Sequence, residues 1–301
     1  MTAQIKLERI LFATDFLESS RLALDYAVAF AGRFHATIVM LHVLELTQAA
    51  REVEAETSRP SLMRRVAAER LELLAAGVRR LGFTVEVIVE DGIPCQVILQ
   101  AVDKHRADLL VLGVHGVHRG LEHLLIGSNT EKILLSATCP TLTVGAHVLS
   151  GVGIQLKVDE IIYFYDFTAE ANAAAPYAAF LSEKLNAPLE VCELLPVAAE
   201  NNKLMGEQLK DEYITMMKQF LDVRDSKCFK SVHQVKIGKE LDQVINLAQS
   251  NNAGLIVLGV RPASQLSRHL HTSFAYHLLA TATCPVFSVR HPEGHPLKER
   301  A

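Results

Sequence analysis

Apolar residues along this chain fall into short blocks, separated by longer stretches in which they return every three or four positions. Arg9–Ala13 is the first block and ends at Thr14-Asp15; Thr37–Val43, Thr84–Val89, Leu109–Leu112 and Thr141–Val144 follow. Continuous apolar runs this short, rich in β-branched residues and bounded by polar or glycine positions, predict strands buried on both faces. Between them the spacing is helical. Ser19 or Ser20 is placed to cap a helix whose inner face takes Leu22, Tyr26 and Ala29 or Phe30, with Gly32 as its stop. A second helix is predicted from about Ser61 to Gly77 with Val66, Leu73 and Leu74 facing the core, a third around Val97–Val102, and a fourth carrying Ile133, Leu134 and Leu135. Strands alternating with helices predict an α/β fold with a parallel sheet covered on both faces.

The pattern then begins again. Glu160–Phe167 matches Arg9–Phe16 and puts Asp166 on Asp15; Asn186–Leu194 matches His35–Val43; Ala253–Gly259 matches Ala107–Gly113; Thr281–Pro285 matches Ser136–Pro140. Four matches in one order identify two copies of one unit, each of ordinary domain size. Gly145–Asp159 carries three glycines and little periodicity. The expected organisation is a unit at 1–147, a linker at 148–155 and a second unit at 156–292. Glu45–Pro60 and Val197–Asp211 are polar, irregular stretches at equivalent places, read as connections or partner-facing loops.

Composition narrows the function. Half of the 301 residues are hydrophobic and the formal net charge is −4, so there is no basic field for nucleic acid. Trp is absent and aromatics make up 6% of the chain, too few for a base-stacking platform. No basic segment followed by an apolar core opens the chain, and its apolar runs are strand-sized, so neither a signal peptide nor a membrane span is expected. The five cysteines are widely spaced with no CxxC, which reads as reduced thiols in a cytoplasmic protein.

The chemistry concentrates in Ala107–Thr141. There a strand runs into Gly113 and Gly116, and Gly127-Ser128 opens a helix. Strand, glycine-punctuated loop and helix start suit a phosphate, because glycine allows close backbone approach and N–H groups at a helix start face an anion. Known phosphate motifs do not match. Gly238-Lys239 is followed by Glu240, Gly151-Val-Gly153 leads to no third glycine, and His115-Gly-Val-His118 has its glycine on the wrong side for HxGH. His115, His118 and His123 read as solvent-facing loop residues before phosphate contacts, and as a metal set only distantly, since no carboxylate or Cys spacing completes one. Asp15 and Asp166 stand at strand ends, where an aspartate more often accepts a hydroxyl or caps a helix than acts as a catalytic acid. Cys139 and Cys284 read as buried structural cysteines.

What does stand in the loop is G-x2-G-x10-G-S after the fourth strand, with Ala13–Ser20 after the first strand, the ADLLVLG strand and the TCPTLTV ending. With these pieces the chain resembles the universal stress protein family, in two tandem copies. The resemblance implies two tandem open parallel five-stranded sheets flanked by helices, a Rossmann-like fold of adenine nucleotide alpha hydrolase type with strand order 3-2-1-4-5. It also implies ATP in the first copy, with Mg²⁺ held mostly by the phosphates. On that basis Thr14 and Asp15 lie by adenine and ribose, and Val43 meets the adenine edge through its backbone. Gly113, His115 and Gly116 contact ribose and phosphates, and Gly127, Ser128 and Asn129 bind phosphate oxygens.

The family pattern has nine residues between the second and third glycines. This chain has ten, and the extra one either bulges at Arg119-Gly120 or reshapes the phosphate cradle. In the second copy Pro262 replaces the second glycine and Thr272-Ser273 replaces Gly-Ser; the one removes an N–H and the other adds a Cβ, so no ATP is expected there. Tyr165, at Thr14's place, is expected to fill that second site further. The implied role is stress-response signalling by binding and conformational change, as an intramolecular pseudo-dimer that can dimerise again. A slow ATPase or nucleotidyl-transfer enzyme of the same fold is one alternative; a nucleotide-free interaction protein is the other.

Overall fold

The computed structural model describes residues 5–46, 52, 61–114, 116–118, 124–148, 156, 158–166, 168–195, 229–236, 254–260, 275, 278–279 and 281–291. The chain divides into two compact units. The first comprises β1 (Arg9–Ala13), α1 (Glu18–Phe34), β2 (Thr37–Leu44), α2 (Leu62–Arg80), β3 (Val85–Asp91), α3 (Pro94–Lys104), β4 (Leu109–Val114), β5 (Gly116–His118), α4 (Ser128–Ser136) and β7 (Thr141–Gly145); β6 (Leu124–Ile126) groups with the second unit except for Ile126. The second contains β8 (Ile161–Tyr165), α5 (Ala169–Leu185), β9 (Leu189–Leu195), β10 (Phe229–Lys236), β11 (Leu255–Val260) and β12 (Val286–Arg290).

In the first unit β1 is central. It pairs in parallel with β2 and β4, β2 pairs with β3, and β4 pairs with β7. The order β3-β2-β1-β4-β7 is the 3-2-1-4-5 arrangement. The second unit repeats it around β8, with β9 and β10 on one side and β11 and β12 on the other, again all parallel. Helices α1 and α5 each span 17 residues and end on a residue in the left-handed region, His35 and Asn186.

Alternation along the strands sorts the core of the first unit into two faces. Leu11 and Ala13 of β1 join Val39, Leu41, Leu110 and Leu112, and are covered by Cys95, Ile98 and Val102 of α3 and Ile133 of α4. The opposite face is covered by α1, over β1, β4 and β7, and by α2, over β2 and β3. At the start of the sheet Asp108 ties three segments together. Its Oδ2 accepts the backbone N–H groups of Glu8 at 2.8 Å and Arg9 at 2.9 Å. The Arg9 guanidinium reaches the His105 carbonyl at 2.8 Å and pairs with Glu86 on β3 at 3.0 Å.

Several expectations are corrected. Helix α1 begins after Leu17 with no side-chain cap, runs through Gly32 and stops at His35. Ser19 and Ser20 lie buried in its first turn. Leu22, Tyr26, Ala29 and Phe30 do face inward. In α2, which Ser61 caps, the core face is Ala67, Leu71, Ala75 and Val78, while Val66 is 45% and Leu73 71% exposed. Val197–Asp211 and most of Glu45–Pro60 lie outside the described residues. Among the described residues no helix is long and apolar enough to cross a membrane.

Replacing Asp108 by Ala strands two N–H groups at the base of β1, each bonded to a charged acceptor. The expected loss is about 2–3 kcal/mol of unfolding free energy, read as a lower urea midpoint with an unchanged slope.

Candidate functional site

The crevice of interest lies where the chain leaves β1 and β4. Helix α1 departs to one face of the sheet and α4 to the other, the geometry at which open parallel sheets bind ligands.

Thr14 and Asp15 leave β1 by a tight turn. Thr14 donates its N–H to the Leu41 carbonyl at 2.9 Å, the last tie between β1 and β2. Its Oγ1 accepts the Phe16 N–H at 3.0 Å and lies 3.0 Å from Ser20 Oγ. Asp15 is exposed, and its Oδ1 accepts the Leu17 N–H at 2.9 Å, closing an Asx turn ahead of α1. Between them Phe16 sits at φ 64°, a region that L side chains visit at a cost. It is held there by a stack: the His42 ring at 4.4 Å on one contact and the Arg70 guanidinium 4.4 Å from its centroid on another. The His42 Nδ1–H in turn donates to the Thr14 carbonyl at 2.8 Å.

Val43 lies past the end of β1. Leu41 directs its carbonyl toward β1, whereas the Leu44 carbonyl accepts from Gly92 beyond β3. Alternation along β2 therefore directs the Val43 N–H and C=O to the β1 side, where β1 has already turned away.

The two described loop glycines differ in kind. A Cβ on Gly113 would lie 2.4 Å from both Ser19 C and Ser20 N, so β4 and the first turn of α1 touch only because residue 113 has no side chain. Gly259 repeats this against Glu170 and Ala171. Gly127 has an ordinary φ of −57°, and a Cβ there would meet nothing within 4 Å. It precedes α4 with no side-chain cap on the helix. The first-turn N–H groups of Ser128 and Asn129 are donors that an α-helix does not satisfy internally. Residues 119–123 of the stretch between Gly116 and Gly127 lie outside the described residues, and with them the place of the extra residue. His115 and the side chains at 116–126 lie outside the described residues, so the histidine cluster does as well.

In the second unit Asp166 keeps the turn role, its Oδ1 accepting the Thr168 N–H at 3.2 Å. Tyr165 is buried, and its hydroxyl donates to Asn172 Oδ1 on α5 at 3.0 Å. Pro262 and Thr272-Ser273 lie outside the described residues. Cys139 and Cys284 are held in the protonated thiol form. Burial, with the Asp108 carboxylate adding to it, pushes Cys139 up to about 12, and burial pushes Cys284 up to about 12. Cys139 is only partly buried as a residue, less than expected. Among the described residues no cluster of His, Cys, Asp or Glu could hold a metal.

The universal stress protein family model matches residues 6–145 and again 157–290. The chain belongs to this family. A universal stress protein of Methanocaldococcus jannaschii is 26% identical over 155 residues, covering 46% of this chain and 94% of its own. A universal stress protein structure from Archaeoglobus fulgidus shares the fold over 94% of this chain and 98% of its own, at 23% identity and a TM-score of 0.70. A universal stress protein solved in complex with cAMP is 22% identical over 46% of this chain and 96% of its own, with a TM-score of 0.35.

His42 and Arg70, which brace the Asp15 turn, were not singled out by sequence, and Ser20 only as a candidate helix cap. Phe16 carried a signal, since Asp-Phe recurs at Asp166-Phe167. For this stress protein, Gly113→Ala should cost about 3 kcal/mol by forcing β4 off α1, whereas Gly127→Ala should stay within about 1 kcal/mol; thermal unfolding of both variants checks the contrast. Cys139 and Cys284 should resist iodoacetamide at pH 8 and react once the chain is unfolded in urea, as mass spectrometry of the two peptides will report.

Proposed function

We propose that the first unit binds ATP in the crevice between the Asp15 turn and the start of α4, and that the chain acts in the stress response through this binding and the conformation it selects. Gly127 carries the reading. Among the described residues neither backbone conformation nor packing requires a glycine there, yet it stands at a helix start with no side-chain cap beside the switch point, and room for a ligand accounts for the missing side chain.

In this reading Asp15 accepts from ribose, the outward-directed Val43 backbone meets the adenine edge, and the N–H groups of Ser128 and Asn129 donate to phosphate oxygens. Gly116 and His115 complete the loop. Thr14 acts mainly by holding the turn, because its hydroxyl already serves Phe16 and Ser20. Gly113 keeps the same loop close to α1. The donors suit an anion and no protein cluster for a metal is needed, which fits Mg²⁺ carried by the phosphates. Binding in the first unit alone follows from Pro262 and Thr272 in the second. With no lysine of Walker type and no assigned base, turnover is at most slow. A cytoplasmic location and a pseudo-dimer of the two units, able to dimerise again, belong to the same proposal.

Calorimetry on the full chain should find one ATP site per chain, and Gly127→Val should abolish it while the variant unfolds at nearly the parent temperature. Unchanged affinity in folded Gly127→Val would refute the assignment. Nucleotide released from the purified chain should be adenine-based by mass spectrometry.

A further inference from the structure

A cavity of about 290 Å³ opens on the α1/α2 face of the first unit, at the lower edge of small-molecule pockets. Phe12, Leu17, Leu24, Leu73 and Leu74 make its apolar walls; Thr14 and Ser20 supply hydroxyl oxygens, and Phe16 with the cations Arg21 and Arg70 completes the lining. The second unit places different side chains on the matching strand and helix. The repeat puts Tyr165 on Thr14, Tyr163 on Phe12, Ala171 on Ser20 and Asn172 on Arg21. The match holds in three dimensions, since Gly113 presses on Ser19-Ser20 and Gly259 on Glu170-Ala171. Tyr165 is buried beside Tyr163, ring centroids 6.1 Å apart, and its hydroxyl reaches Asn172, the counterpart of the cavity residue Arg21. One copy therefore holds a phenol ring of its own where the other has Thr14 and a cavity.

The polar lining of that cavity is selective. Ser20 Oγ donates its single proton to the Leu17 carbonyl at 2.9 Å. The 3.0 Å contact between Thr14 and Ser20 must then use the Thr14 proton. Both hydroxyl protons are committed, and what remains on either oxygen is acceptor capacity. A guest that satisfies these groups must bring its own donor.

We propose that the first unit carries a small-molecule site for a phenol, a single aromatic ring bearing a donating hydroxyl, seated between α1 and α2 against Phe12 with its hydroxyl on Thr14 or Ser20. The site shares the Thr14 turn with the ATP reading but does not rest on it. The test uses 4-methylphenol as probe on the full-length chain, followed by amide NMR. Saturable shifts are expected at residues 12–24 and 70–74. Toluene, which has no hydroxyl to donate, should bind about tenfold more weakly or worse. Thr14→Tyr, which installs the second unit's own ring, should weaken 4-methylphenol at least tenfold, and so should Leu74→Trp, which fills the cavity from α2 should the first variant fail to fold. No saturable shift at those residues, equal affinity for toluene, or parent-like affinity in a folded filled variant would each overturn the proposal.

Discussion

Everything at the crevice depends on one close approach, that of β4 to the first turn of α1. Gly113 allows it, with Ser19 and Ser20 where its Cβ would be. That contact sets where α1 starts, and hence where Thr14, Asp15 and Phe16 must turn to enter it. The turn is braced afterwards by the Thr14 hydroxyl, by the Asp15 carboxylate on Leu17 and by the rings of His42 and Phe16 under Arg70. A left-handed Phe persists because these contacts over-determine it. The second unit keeps the approach through Gly259 and rebuilds the rest with Tyr163, Asp166 and Thr168.

The sheet was legible because central parallel strands are buried on both faces and so appear as unbroken apolar runs; Arg9–Ala13 is the clearest case. Helix α2 misled for a physical reason. Its burying stripe is built partly from Ala67 and Ala75, small residues that let the helix sit close but weigh little as hydrophobes. Leu62, Val66 and Leu73 form a louder stripe on the exposed side. The start of α1 was hidden because its cap is made by the turn before it and not by a serine of its own, and Gly32 is absorbed within the helix because termination depends on the left-handed residue at His35.

At the site, sequence marks Gly113 and Gly127 alike, and one dimension does not separate a glycine demanded by a neighbouring helix from one that is not. The would-be Cβ separates them, crowded at Gly113 and unopposed among the described residues at Gly127.

The open surroundings of Gly127 have a consequence for how such chains diverge. The fold loses little if this residue changes, so on the proposed reading ligand recognition can be discarded by one substitution without passing through an unfolded intermediate, while the Gly113 contact is locked by the core. A duplicated chain can then let one copy drift into a purely architectural part while the other remains under selection for its ligand. The second copy, with Thr272 at the matched place and Gly259 retained, has the composition that such a history would leave.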